Sequence, residues 1–235
     1  MAEILLIRHG QASFGAENYD VLSPLGWKQG ACLGEYLLAC NNHLDSVICG
    51  TLERHRDTAI SALDVIKDRT EQEQVPLYDS RLNEIDTHSL FHFLPEVLKL
   101  KPDLQPLVDI AQTDSKAYQK LFRETFKLWL EKGDSTEHME TWPTFKQRVV
   151  ESFEEIKAQT GSGKRSAIFT SGGAIATLTA YVLGLEDHQV YSLFEPLINA
   201  SVTRIAFTAD LTSVSCYNDY GYLAAMRDSS YITYR

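Results

Sequence analysis

The sequence predicts an α/β protein. The expected architecture is a three-layer α/β/α arrangement, with a mostly parallel sheet, helices on both faces and a helical insertion over the edge that would carry chemistry. Three observations predict it. Short apolar runs at Ile4–Ile7, Ser46–Cys49 and Ser166–Thr170 have glycine within three residues of their ends, and such runs read as strands buried on both faces. The stretches between them place apolar residues at three-to-four spacing, as crossover helices do. From about 87 to 141 helical patterns follow one another with no strand between.

Length and charge narrow the classes. The 235 residues suit a single domain spanning 1–235 with the insertion at about 87–141. A net charge of -10 argues against binding nucleic acid or an anionic membrane surface, since both need a basic footprint. The most apolar stretch, Gly173–Leu185, is too short to span a bilayer. The start of the chain has no signal-peptide pattern, and Cys32, Cys40, Cys49 and Cys216 have no CxxC or disulfide-scaffold spacing. A cytoplasmic protein with reduced thiols is expected.

The elements then follow in order. Ile4–Ile7 forms the first strand, delivering Arg8 and His9 to its C-terminal end, and Gly10 reads as a sharp turn. The segment 12–23 is a surface loop. Ser23-Pro24 starts a helix with Cys32, Leu33, Tyr36, Leu37 and Cys40 on its apolar face. Ser46–Cys49 is a strand and 54–68 a helix whose buried face is Thr58, Ala59, Ala62, Leu63 and Ile66. Val75–Tyr78 is a short strand. Within the insertion, one helix is expected near 95–111 and another near 115–132, where Tyr118, Phe122, Phe126 and Trp129 form one packing stripe. Pro143 opens a helix with Phe145, Val149, Phe153 and Ile156 inside, and Gly161-Ser162-Gly163-Lys164 ends it as a turn. The order helix, GSGK, strand is the reverse of a phosphate loop, which excludes that reading. Ser166–Thr170 is a strand, 174–183 a helix, and 202–208 and 214–217 close the sheet.

Arg8, His9, Arg54, Glu84 and the Ser171-Gly172-Gly173 turn all fall just beyond strand ends, where open α/β sheets bind their ligands. Two arginines suit a phosphoryl group, because each planar guanidinium offers paired donors and stays charged. A neutral imidazole at His9 can attack phosphorus, and a carboxylic acid at Glu84 can protonate the leaving alkoxide. Glycines at a helix start, here Gly172 and Gly173, allow an anion to approach backbone N–H groups. No third ligand joins His88 and His92, which stand four apart, so no metal and no cofactor is expected.

These residues resemble the histidine phosphatase, or phosphoglycerate mutase-like, superfamily. The resemblance lies in Arg8-His9-Gly10, in Leu22 to Gln29 (L-x-x-x-G-x-x-Q), in Leu52 to Ala59 (L-x-R-x-x-x-T-A), in Leu82-Asn83-Glu84 and in Asn199 to Thr203 (N-x-S-x-T). It implies His9 as nucleophile, Arg8 and Arg54 as phosphoryl ligands and Glu84 as proton donor. The implied substrate is a small phosphorylated metabolite. The pattern departs at three places. The family's second catalytic histidine falls on Ser171, Ala12 and Gly15 stand where phosphate-touching polar residues are usual, and the Glu84 loop lacks Gly-x-x-Glu-Gly. Gln11, Ser13, Ser171 and Gly172 are therefore the expected substrate-binding positions. His88 or His92 is a candidate replacement for the missing imidazole, and His55 and Arg56 are candidates to border the phosphate. On this view Ser171 weakens the site, and Ser171→His is expected to raise activity. A phospholigand-binding protein with little turnover is the alternative, and a mutase a third.

Overall fold

The computed structural model describes residues 1–13, 20–41, 43–70, 73–132 and 139–234. In chain order it holds β1 (Ala2–Arg8), α1 (Pro24–Ala39), β2 (Ser46–Cys49), α2 (Glu53–Thr70) and β3 (Leu77–Tyr78). The short helices α3 (Thr87–Leu90), α4 (Leu94–Leu100) and α5 (Gln105–Ile110) precede the long α6 (Ser115–Lys132) and α7 (Trp142–Gln159). The chain continues with β4 (Arg165–Thr170), α8 (Gly172–Leu183), α9 (Val190–Phe194), β5 (Val202–Phe207), β6 (Thr212–Asp219) and α10 (Gly221–Ala224).

The strands form one sheet in the order β3-β2-β4-β1-β5-β6. β1 to β4 are mutually parallel, while β5 runs antiparallel to β1 and β6 antiparallel to β5. β1 shows why the sheet must be covered on both sides. Ile4 and Leu6 join a cluster with Trp129, Trp142, Phe145, Phe153 and Ile175, from α6, α7 and α8. Leu5 and Ile7 point the other way, into Leu33 and Leu37 of α1 and Ala59, Ala62 and Leu63 of α2. Successive side chains of a strand face opposite ways, so an unbroken apolar run needs two helical layers.

The register then sets the site. Arg8 pairs with Thr170, so His9 and Ser171, each the next residue along its parallel strand, emerge side by side at the sheet's carboxyl edge.

Four expectations are corrected. Gly10 does not make a positive-φ turn; a Cβ there would lie 2.5 Å from the Gly26 carbonyl oxygen, so its bareness lets β1 approach α1. The helix expected at 95–111 is two helices, because Lys101, which precedes Pro102, is pushed out of the α region to φ -134 and ψ 74. The strand expected at 75–78 shrinks to Leu77–Tyr78, an exposed edge pair. The helix expected from 174 begins at Gly172, with Ser171 at its N-cap.

Candidate active site

His9 is held at four points. Its backbone N–H donates to the Thr170 carbonyl at 2.9 Å, and its own carbonyl accepts from the Asn199 side-chain amide at 3.1 Å and from the Ala200 N–H at 3.1 Å. Its ring Nδ1 lies 2.7 Å from the Gly10 carbonyl oxygen. A carbonyl only accepts, so Nδ1 carries the proton and Nε2 presents its lone pair. Burial holds the His9 imidazole well below its ordinary value of 6.5, and Arg54, Arg8 and His55 reinforce the shift against the opposing bond to Gly10. The neutral form of the ring is therefore favoured at neutral pH.

The two arginines are anchored through protein oxygens. Arg8, nearly buried at 7% exposure, donates through Nη1 to the Leu197 carbonyl and through Nη2 to the Tyr234 carbonyl at 2.8 Å. Arg54, in the first turn of α2, donates through Nη1 to Asp20 Oδ1 at 2.6 Å, and the other Asp20 oxygen accepts the Glu53 N–H at 2.8 Å. A carboxylate at a helix N-terminus is favoured by the helix dipole. Thr58 joins this helix to the His9 turn, accepting the Gly10 N–H at 2.9 Å and donating to the Arg54 carbonyl at 2.6 Å.

Glu84 reaches the site from the segment after β3. Its Oε2 accepts the Gly173 N–H at 2.9 Å, and its Oε1 accepts the Ile85 N–H at 3.1 Å. A Cβ at Gly173 would come within 2.1 Å of Glu84 Oε1, so only glycine there admits the carboxylate. Arg148 of α7 fixes the same segment by donating to the Arg81 and Asn83 carbonyls at 2.6 and 2.9 Å.

His9, Arg8, Arg54, Glu84, Ser171 and Gly172 thus converge on one crevice edge. Gly172 lies between Arg8 and the Phe194 ring, 3.1 Å from where its Cβ would be. Gln11 Oε1 accepts from the Ser23 hydroxyl at 2.8 Å, which ties Gln11 to the α1 cap. Ser13 donates its backbone N–H to the Val21 carbonyl at 2.9 Å. Gly15 and the His88 side chain lie outside what is described. His92 is exposed and bonded through Nδ1 to the Ser89 carbonyl at 2.8 Å. The Arg56 side chain is 44% exposed and faces Glu53.

His55 is the largest surprise. Its ring is fully buried, its Nε2 lies 2.6 Å from Ser171 Oγ, and its ring centroid is 5.8 Å from that of His9. That contact sets the His55 ring directly against the Ser171 hydroxyl, a neighbour that the expectation for Ser171→His does not include. One sequence signal marked it: His55 shares the helical stripe of Ala59, Ala62 and Ile66, which is buried. Asn199, Thr58 and Phe194 are further positions whose contributions are visible only in three dimensions.

The model of the histidine phosphatase superfamily (branch 1) matches residues 4–91 and 107–220. The chain belongs to that superfamily. It is similar to the broad-specificity phosphatase YOR283W of Saccharomyces cerevisiae, 26% identical over 217 residues that cover 88% of this chain and 80% of the yeast protein. In fold it is similar to a phosphoglycerate mutase from Bacillus anthracis, with a TM-score of 0.66, 17% identity and 97% of each chain covered. It is also similar to a mycobacterial glucosyl-3-phosphoglycerate phosphatase solved with inorganic phosphate, with a TM-score of 0.63, 21% identity, and 94% and 98% of the two chains covered. Among the described residues no helix is long and apolar enough to cross a membrane.

Proposed function

We propose that this superfamily member is a phosphomonoester phosphatase that works through a phosphohistidine at His9, on a small phosphorylated metabolite. In the first step His9 Nε2 bonds to phosphorus as the ester P–O bond breaks, and Glu84 gives its proton to the leaving alkoxide. In the second, water attacks phosphorus, Glu84 takes the water proton, the P–N bond breaks and inorganic phosphate leaves. The guanidinium groups of Arg8 and Arg54 offset the charge on the phosphoryl oxygens.

One observation carries this reading. A buried imidazole has its Nδ1 fixed on the Gly10 carbonyl and its neutral form favoured first by burial and then by the flanking arginines, which is the state a nitrogen nucleophile needs. The likeness to a broad-specificity phosphatase supports the reaction class.

A second reading is favoured by the arginines' existing partners. Asp20 already occupies one Arg54 donor and the Tyr234 carbonyl one Arg8 donor, an arrangement compatible with binding a phospholigand with little turnover. Incubation with radiolabelled p-nitrophenyl phosphate, followed by rapid alkaline quench, separates the two. A labelled phosphohistidine absent from His9→Ala, together with phosphate release, is expected. Tight phosphate binding with neither label nor release would overturn the phosphatase reading.

A further inference from the structure

We propose that His55 is a positioning residue for the reaction, acting through Ser171: its Nε2–H holds the Ser171 hydroxyl so that the hydroxyl proton is directed at the transferring phosphoryl group. The proposal rests on the His9 phosphatase reading and adds a donor to it.

Geometry puts the pair in place. The β1–β4 register makes Ser171 the lateral neighbour of His9, and His55 comes in behind it from α2, with Nε2 at 2.6 Å from Ser171 Oγ. Both side chains are fully buried. Ser171 occupies the N-cap of α8 yet makes no capping bond there, so its oxygen is committed to His55 rather than to the helix.

The direction of the bond follows from the other ring nitrogen. His55 Nδ1 is buried with no hydrogen-bond partner, and Gly50 packs so closely that a Cβ there would come within 2.2 Å of it. A buried N–H without an acceptor is rarer and costlier than an idle lone pair. The proton is therefore on Nε2, Ser171 Oγ accepts it, and the Ser171 O–H must donate elsewhere. Among the described residues no other group accepts from it. His9 is the lateral neighbour of Ser171 across the β1–β4 register, and the proposed relay directs the hydroxyl proton to that side.

The same facts exclude Ser171 as the nucleophile. A histidine that activates serine needs its lone pair on the nitrogen facing the hydroxyl, and an acceptor orienting the N–H on the other. His55 has neither. Burial and the nearby Arg54 also disfavour its taking a proton.

Turnover of p-nitrophenyl phosphate by His55→Leu, His55→Gln, Ser171→Ala, the His55→Leu/Ser171→Ala pair and His9→Ala tests this. Loss of one preorganised donor costs about 10²-fold in kcat, so His55→Leu and Ser171→Ala should each fall by about that factor. The double variant should fall no further, because residues acting as a unit are non-additive. His55→Gln, whose amide nitrogen can stand where Nε2 stood, should recover most of kcat. Ser171→His should be poorly active, and combining it with His55→Ala, which clears the space, should restore activity. If His55→Leu fails to fold, Ser171→Ala still decides, and His55→Gln is read against the wild type, where a loss of about 10²-fold overturns the rescue. Wild-type kcat in Ser171→Ala, or His55→Gln no faster than a folded His55→Leu, overturns the relay. Labelled phosphoserine at 171 in the wild type overturns it too. Turnover by His9→Ala would instead overturn the phosphatase reading, so the two failures are distinct.

Discussion

The crevice at the ends of β1, β2 and β4 and the helical segment from α3 to α6 are built on opposite plans. In the crevice every candidate group is tied to the backbone or side chain of a different element. His9 is tied to β4 and to the 199–200 segment, Arg54 to Asp20, and Glu84 to α8. Exposure there is minimal, 4% for His9, 7% for Arg8 and 8% for Arg54. The segment from α3 to α6 is three short helices, with prolines at the starts of α4 and α5, followed by the long α6, and it turns apolar side chains such as Leu100 and Ile110 to solvent. It attaches through an aromatic seam, in which Phe122 and Phe126 pack on Phe194, and Trp129 packs on Trp142 and Phe145. The candidate site, with its groups tied to several elements, therefore sits beside a segment held mainly by aromatic packing. Phe194, which packs in that seam and stands 3.1 Å from where a Gly172 Cβ would be, is where one region can influence the other.

The contrast can be broken most severely at Glu84. A general acid contributes about 10²–10⁴-fold, so Glu84→Gln should lose that much kcat on alkyl phosphates. Its loss should be far smaller on p-nitrophenyl phosphate, whose leaving group needs little protonation. An equal loss on both substrates would remove Glu84 from the acid role. Gly173→Ala should produce a weaker copy of the same substrate-dependent defect by displacing the carboxylate.

Trp129→Ala tests the seam instead. Truncating a buried Trp typically costs about 3–5 kcal/mol of stability, which urea unfolding would read. In the folded fraction at low temperature, kcat on p-nitrophenyl phosphate should hold near the wild-type value. A collapse in kcat would show that the insertion supports the chemistry.

The pH dependence of stability follows from the two buried imidazoles. His9 and His55 are both held well below the ordinary value of 6.5, chiefly by burial. The unfolded chain then binds more protons than the folded one once the pH falls below 6.5. Stability should be fully present above that value and decline as the solution is acidified toward the folded-state values. The urea midpoint should show a shallower acid decline in His55→Leu. An unchanged slope would contradict a neutral buried His55. The smallest effect is expected from Phe194→Ala, a change of KM by a few-fold that differs between bulky and small phosphate esters, with kcat nearly constant.

Much of this was legible in the sequence because strands buried on both faces announce themselves as apolar runs, and the residues just beyond them must lie at the crevice. Arg8, His9, Arg54, Glu84 and Ser171 could be placed that way. The helix break at Pro102 was legible in principle and was overridden by the apolar periodicity around it. Gly10 and Gly173 could be seen to matter, but not why, since close approach to Gly26 and to Glu84 depends on tertiary packing. The sequence groups His55 with Arg56 as a candidate to border the phosphate and does not link it to Ser171, because adjacency to Arg54 says nothing about direction. Helix α2 turns the two side chains apart, Arg54 toward Asp20 and His55 beneath Ser171.

The position of the phosphorus–nitrogen bond tests the central claim most directly. After rapid alkaline quench during turnover, phosphorus NMR and peptide mass spectrometry of the trapped enzyme should find the phosphoryl group on residue 9. The bond should be at Nε2, the nitrogen left bare by the bond from Nδ1 to the Gly10 carbonyl. A phosphoryl group on Nδ1, on Ser171, or on no residue while phosphate is released would contradict it.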